Sequence, residues 1–299
     1  MNLKTIHRIF FGFGGEEDLY LPYMELWKKA LPHYEIKLWN ASNLPLDLNP
    51  WTRKMTELGD GVFLSDFFRW WVCKEYGGIY LDADIEIYDG AGFDALITEL
   101  ENSQDYDALI GVETPLSGYT SHSFASKPNS SLASYMCGLY ENLDVFSVAR
   151  KKMLIGPHLS NLYFWEKQIG KQGFISPKEP EIFARVKVYP LDFFSPIQYG
   201  FKPSLEYFSS RTCLAHHYGD SWVDDESALS IQRDAMRSNL LKRRPKLVQD
   251  YIQEDRGFFG KISRISKHTF RWLIHKILIP KDSRRRDYCR QLLFSLIKA

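Results

Sequence analysis

The 299-residue sequence has no uncharged apolar run of about 18 residues, the length that a membrane-crossing helix requires. Its cysteines are few: Cys73, Cys137, Cys213 and Cys289 stand far apart and form no CxxC pair, so a reduced compartment is the simpler reading. The opening residues Met1 to Ile9 contain no apolar stretch followed by a small-residue cleavage site, so no secretory leader is expected and the reading places the chain in the cytoplasm. Internal repeats and low-complexity linkers are also missing. Net charge is nearly absent, at +1.

That small net charge hides an asymmetry. Residues 256–299 carry 12 lysines and arginines against two acids, a net of +10, while the rest carries 26 against 35, a net of −9. A basic tail on an acidic body is suited to meeting an anionic partner. Otherwise the composition is that of a globular protein, 44% hydrophobic and 25% charged, with aromatics at 15%. The length suffices for one large α/β domain carrying an appendage.

Ile6 to Phe11 reads as a first strand ending in the glycine-rich turn Gly12-Phe13-Gly14-Gly15. The spacing of Leu19, Tyr23, Leu26, Trp27 and Ala30 predicts a helix, and Tyr34 to Trp39 alternates as a second strand. Strand, helix and strand in close succession favour a parallel α/β sheet. Val62 to Tyr76 reads as a helix closed by Gly77-Gly78, where positive φ is easily accommodated. Ile79-Tyr80-Leu81 is a short apolar strand running into Asp82. Later strands are expected at Tyr106–Val112, Val186–Tyr189 and Arg211–His216, and a helix at Ser130–Leu143.

The chemistry concentrates between Leu64 and Glu86. Asp66 and Arg69 are three apart on the expected helix and share a face. Asp82 and Asp84 are two apart at a strand end, so in an extended chain both carboxylates point to one side. Two hard oxygen ligands at the open edge of a sheet suit Mg²⁺ or Mn²⁺, with a diphosphate completing the shell. Glu86 reads as an exposed strand-end carboxylate, His7 as a hydrogen-bonded core histidine. His216 and His217 alternate on a strand, so one faces the site; His216 is favoured.

The run Ser65-Asp66-x-x-Arg69 followed by Gly77-Gly78-Ile79-Tyr80-Leu81-Asp82-x-Asp84-x-Glu86 resembles the DxD glycosyltransferases of family 32. These include capsule and lipopolysaccharide sugar transferases and yeast-type initiating mannosyltransferases, and the clostridial glucosylating toxins share their core. Ile6-His7-Arg8-Ile9-Phe10-Phe11-Gly12 resembles the family's first strand, Gly156-Pro157 a family Gly-Pro, and Ala215-His216-His217-Tyr218-Gly219-Asp220-Ser221-Trp222 its late signature. The resemblance spans roughly residues 4 to 222, in ordered blocks. It implies a GT-A-type α/β fold, a Rossmann-like mixed sheet flanked by helices, over residues 1–255. The nucleotide-sugar half would cover roughly 1–115 and the acceptor half 116–255, followed by a basic helical appendage at 256–299. It implies that Asp84 ligands the metal, that Asp82 reaches ribose and metal-bound water, and that His216 or His217 completes the shell. Ser221 and Trp222 would hold the leaving diphosphate, Asp66 and Arg69 the donor sugar, and the aromatic Phe10, with Phe11 beside it, the base. Phe10 stands where the family usually has Trp, which leaves uridine and guanosine both open.

The implied reaction is retaining transfer of a hexose from a nucleotide diphosphate sugar to a hydroxyl of a glycan or lipid-linked oligosaccharide, with bacterial surface polysaccharide as the expected product. UDP-hexoses are favoured as donors and GDP-mannose is an alternative. Glu113, His158 and Asn161 are acceptor-side candidates. Two rival readings are an aspartyl phosphohydrolase, whose DxD usually sits on the first strand before Thr or Val, and a non-catalytic carbohydrate- or Ca²⁺-binding module. The calcium loop fails at Ile87, where the turn glycine belongs, and at Phe93, where the bidentate acid belongs. Between Lys261 and Ile279 basic and apolar residues fall on opposite helical faces, and Arg284-Arg285-Arg286 follows. This pattern fits peripheral contact with the anionic inner face of a membrane. Nucleic acid is not an expected partner, since the body is acidic and carries no recognition motif.

Overall fold

The computed structural model describes residues 2–13, 15, 17–18, 20–114, 118–142, 156–167, 176–197 and 207–218. The expectations for Ser221, Trp222 and the basic region 256–299 lie outside the described residues.

The chain alternates strands and helices. It opens with β1 (Thr5–Ile9), α1 (Leu21–Ala30), β2 (Glu35–Trp39), α2 (Pro50–Glu57), α3 (Gly61–Tyr76) and β3 (Gly78–Leu81). It continues with β4 (Ile85–Ile87), α4 (Gly90–Asn102), β5 (Ala108–Thr114), β6 (Gly118–Ser126), α5 (Ser131–Glu141) and α6 (Gly156–Glu166). The remaining described elements are β7 (Glu181–Phe183), β8 (Val186–Tyr189), α7 (Leu191–Phe194) and β9 (Leu214–His216). The two first strands are shorter than expected, and Glu113 lies inside β5 rather than after it.

Seven strands form one sheet in the order β2-β1-β3-β6-β5-β8-β7, and β4 pairs with β9 in a separate ribbon. The sheet is mixed. β1 runs parallel to β2 and β3, and β5 parallel to β8, whereas β6 is antiparallel to both β3 and β5. Alternating side chains feed two apolar layers. Tyr80, Ile110 and Phe124 pack on one face with α3 and α5. Ile79, Leu81, Leu109 and Ala125 pack on the other with α1 and α4. This is a three-layer α/β fold with a mixed sheet between helices.

The helix before the acidic motif is buried nearly all round, with Phe63, Leu64, Phe67, Phe68, Trp70, Val72 and Cys73 inside. Asp60 caps its start by accepting the Phe63 N–H at 3.3 Å. The exit needs glycine: Gly77 has φ 68° and Gly78 φ 102°. A Cβ at Gly77 would stand 2.6 Å from Pro128, and one at Gly78 2.7 Å from the Thr5 carbonyl oxygen. The diglycine thus lets a long buried helix fold straight into β3, the strand that leads to the motif. Among the described residues no helix is long and apolar enough to cross a membrane.

Candidate functional site

β3 ends at Leu81, and the chain does not remain extended through the acidic pair. It turns at Asp82–Asp84, the turn closed by the Ile85 N–H donating to Asp82 O at 3.1 Å. The carboxylates converge nonetheless. β4 leaves the turn and pairs antiparallel with β9, setting Ile85 opposite His216. The Asp84 Oδ1 and His216 Nε2 atoms are 3.2 Å apart. Asp82, Asp84 and His216 each offer a ligand atom, all within 4.8 Å of one another. Two carboxylates and one imidazole are a donor set that fits a divalent ion such as Mn²⁺, and two carboxylates alone suit Mg²⁺. The edge is the carboxyl end of a strand in an open sheet, where α/β folds bind ligands.

Asp82 is held from two directions. The Tyr80 hydroxyl donates to its Oδ1 at 2.5 Å, and Arg69 Nη1 lies 3.5 Å from the same oxygen. Its backbone N–H donates to His122 O at 2.7 Å. Asp66 and Arg69 do share one helix face, but they are no surface pair: Asp66 is 6% and Arg69 5% exposed. Arg69 Nη2 sits 2.8 Å from Asp66 Oδ1, and Arg69 Nη1 donates to Ser121 O at 2.8 Å. Burial pushes the Asp66 carboxyl up to about 6, with Asp82 and Asp60 adding to the rise and Arg69 opposing it. For Arg69 burial works against the charge, yet Asp82, Tyr80 and Asp66 outweigh it, and the guanidinium stays protonated. The result is a fixed buried cation next to the acidic turn.

The two histidines diverge. His217 turns to Glu86, its Nε2 3.2 Å from Oε2. Glu86 is therefore not the exposed carboxylate its strand-end position suggested; it is 4% exposed, inside the ribbon's packing. β9 ends at His216, and it is His216, not His217, that stands with Asp82 and Asp84. Burial opposes charge on His216, but the neighbouring Asp84 carboxylate outweighs it and raises its proton affinity, with smaller contributions from Asp82 and Glu113.

Two further neighbours flank His216: His122, which lies outside every motif, and Tyr218, which the late signature contains without a role. His122, on β6, lies with its ring centroid 4.2 Å from that of His216, and its Nε2 is 3.0 Å from Ser195 Oγ. Burial holds His122 well below the ordinary imidazole range, and the adjacent His216 adds to this. Tyr218 lies on another side of His216, at 4.1 Å between centroids.

The remaining candidates are placed as follows. Phe10 is half-buried at the end of β1, its N–H donating to Trp39 O at 3.0 Å. Phe11 stacks on Phe13 at 5.3 Å and packs against Gly61 at the start of α3. Glu113 and Asn161 are both buried. A Cβ at Gly156 would stand 2.5 Å from the Ser121 Cβ and 3.8 Å from Asp66 Oδ1, so the start of α6 at Gly156-Pro157 lies against Ser121 and Asp66. A Cβ at Gly118 would stand 3.1 Å from Asn161 Nδ2. His158 falls in α6 and its side chain lies outside the described residues. His7 is a hydrogen-bonded core histidine as expected, 1% exposed and bound to Gly77 and Trp39.

Residues 18–99 match a family model described as a glycosyltransferase sugar-binding region containing the DXD motif. That span holds Asp66, Arg69, Asp82 and Asp84. No curated protein matches the sequence significantly. Solved structures similar to this chain include the PaToxG glycosyltransferase, at 18% identity over 56% of this chain and 70% of that one, with a TM-score of 0.42. A glycosyltransferase involved in glycosylation of the major capsid of PBCV-1 is 11% identical over 78% and 98%, TM-score 0.43. The galactosyltransferase LgtC, solved with donor and acceptor sugar analogues, is 13% identical over 82% and 99%, TM-score 0.41.

Proposed function

We infer that this glycosyltransferase, whose residues 18–99 are a DXD-containing sugar-binding region, moves a hexose from a nucleotide diphosphate sugar to a hydroxyl of a glycan or lipid-linked glycan. The observation that carries this reading is the convergence of Asp82, Asp84 and His216 within 4.8 Å at the strand edge. The reading takes the chain as a family 32 enzyme, with a UDP-hexose as donor and bacterial surface polysaccharide as the setting.

Cleaving the sugar–phosphate bond puts negative charge on the departing diphosphate. A divalent ion held by Asp82, Asp84 and His216 would supply positive charge there. Arg69 is fixed by Asp66, Asp82 and the Ser121 carbonyl, and with Asp66 it faces the donor sugar. Tyr80 and Arg69 hold Asp82 in one orientation, so no reorganisation is required as charge develops. Phe10 and Phe11 at the β1 end offer the base an aromatic surface, and Ser221 and Trp222 complete the grip on the leaving group. Retention follows from front-face attack by the acceptor hydroxyl, since every carboxylate of the turn already has a binding role. Glu113 on β5 and Asn161 on α6 border the acceptor.

The test is release of nucleoside diphosphate from a panel of UDP- and GDP-sugars with and without Mn²⁺. One donor should be hydrolysed only with metal, and Asp84→Ala should abolish turnover with an unchanged circular dichroism spectrum. Full activity in Asp84→Ala would overturn the assignment. Release of inorganic phosphate from simple esters instead would point to the phosphohydrolase.

The division into a catalytic body, 1–255, and a basic appendage, 256–299, completes the proposal. The appendage carries a net +10 and would hold the enzyme on an anionic membrane face where lipid-linked acceptors lie. Truncation after Asp255 should abolish pelleting with vesicles containing phosphatidylglycerol; unchanged pelleting would eliminate the membrane role.

A further inference from the structure

A metal-binding imidazole normally has its second ring nitrogen hydrogen-bonded, which fixes the tautomer and aims the first. His216 lacks this device: its Nδ1 is sealed from solvent and has no hydrogen-bond partner among the described residues. The ring is nonetheless closely surrounded. His122 lies 4.2 Å away with planes tilted by 34°, and Tyr218 4.1 Å away with planes tilted by 44°. The His122 and Tyr218 centroids are 6.4 Å apart. The three distances describe a corner rather than a sandwich, with His216 seated in its angle and Asp84 reached by Nε2.

Both walls of the corner are themselves fixed. His122 is 2% exposed, and its Nε2 is 3.0 Å from the hydroxyl of the fully buried Ser195. Its backbone carbonyl accepts the Asp82 N–H at 2.7 Å, so one β6 residue supports the acidic turn through its main chain and the histidine through its side chain. Tyr218 has φ 52°, a left-handed conformation that residues with a side chain avoid unless packing imposes it. The bend keeps its ring beside His216, two residues away in the chain.

We propose that His122 and Tyr218 are positioning residues that hold the His216 imidazole by its flanks, so that ring packing rather than a hydrogen bond aims Nε2 at the Asp82–Asp84 pair and sets metal affinity. The proposal rests on the metal site of the preceding section. It assigns a role to His122, which lies outside every motif in the sequence.

The test measures Mn²⁺ affinity of the full chain from the electron paramagnetic resonance signal of free Mn²⁺, well below the melting temperature of each variant. His122→Ala and Tyr218→Ala should each weaken Mn²⁺ binding by about 10-fold or more. His122→Phe, which keeps a ring in the corner, should bind nearly as the parent does even though it cannot pair with Ser195. Alanine variants that bind Mn²⁺ as tightly as the parent, while Asp84→Ala loses it, overturn the clamp and leave the metal site standing. A His122→Phe protein that folds but binds as poorly as His122→Ala also overturns it, because the polar atoms would then matter and not the ring. If Asp84→Ala retains parental affinity, the metal does not sit here and both readings fall.

Discussion

Arg69 Nη2 lies 2.8 Å from Asp66 Oδ1, one helical turn away, in a place where both side chains are under a tenth exposed. The same guanidinium reaches Asp82 and the Ser121 carbonyl, so it joins α3, the β3 end and β6 at one point. Lysine could keep the charge but not the planar fork that serves several acceptors at once. Arg69→Lys should therefore fold with near-parental stability and lose turnover by about 10²-fold, the scale of a misplaced catalytic constellation. Arg69→Ala removes the cation that compensates the Asp66 and Asp82 carboxylates and should cost about 3–5 kcal/mol in urea unfolding. Equal rates for Arg69→Lys and the parent would show that the fork has no part in catalysis.

Much of this site was readable because its signals are local. Asp66 and Arg69 share a face through helical spacing, and the diglycine exit and the Asp82–Asp84 pair follow within the next fifteen or so residues of an ordinary helix–strand unit. The extended geometry expected for the acidic pair was the wrong route to the right convergence: the chain turns at Asp82, and β9 supplies the third donor. His122 and Tyr218 could not be read. The proximity of His122 to His216 depends on β6 pairing with β3 and β9 pairing with β4, contacts between segments distant in sequence, and that of Tyr218 on the positive φ that turns its ring back. In β6 every residue is buried, so no polar–apolar alternation singles out His122. Glu86 was misread for the same reason, since its partner His217 is 131 residues away.

That long-range pair makes its own prediction. Glu86 and His217 clasp the β4–β9 ribbon, in which His216 stands opposite Ile85 and reaches Asp84 at 3.2 Å. Glu86→Ala takes a buried partner from His217 and should lower unfolding free energy by about 1–3 kcal/mol. Glu86→Gln keeps a polar partner in place and should recover most of the loss. Mn²⁺ affinity should fall in Glu86→Ala as the ribbon loosens. An alanine variant as stable as the parent would show that the clasp carries no load.

His7 gives the pH dependence. Its Nε2–H donates to Gly77 O at 2.7 Å, and its Nδ1 accepts the Trp39 indole N–H at 3.0 Å, so both nitrogens are committed in the neutral ring. A proton on Nδ1 would point at another donor. Burial lowers the pKa from 6.5 to about 4, and Lys37 adds to the fall while the Gly77 carbonyl opposes it. The unfolded chain thus binds a proton that the folded chain refuses between these two values. His7 stability is fully present above pH 6.5 and is lost as pH falls toward 4, a loss of about 3 kcal/mol. His7→Gln retains an acceptor and a donor but does not titrate, so its stability should decline less across that window. The measurement is the urea midpoint of both proteins at pH 7 and pH 4.5, taken as a difference so that His122 and other shared groups cancel. Parallel declines in the two proteins would show that His7 is protonated as readily in the fold as outside it.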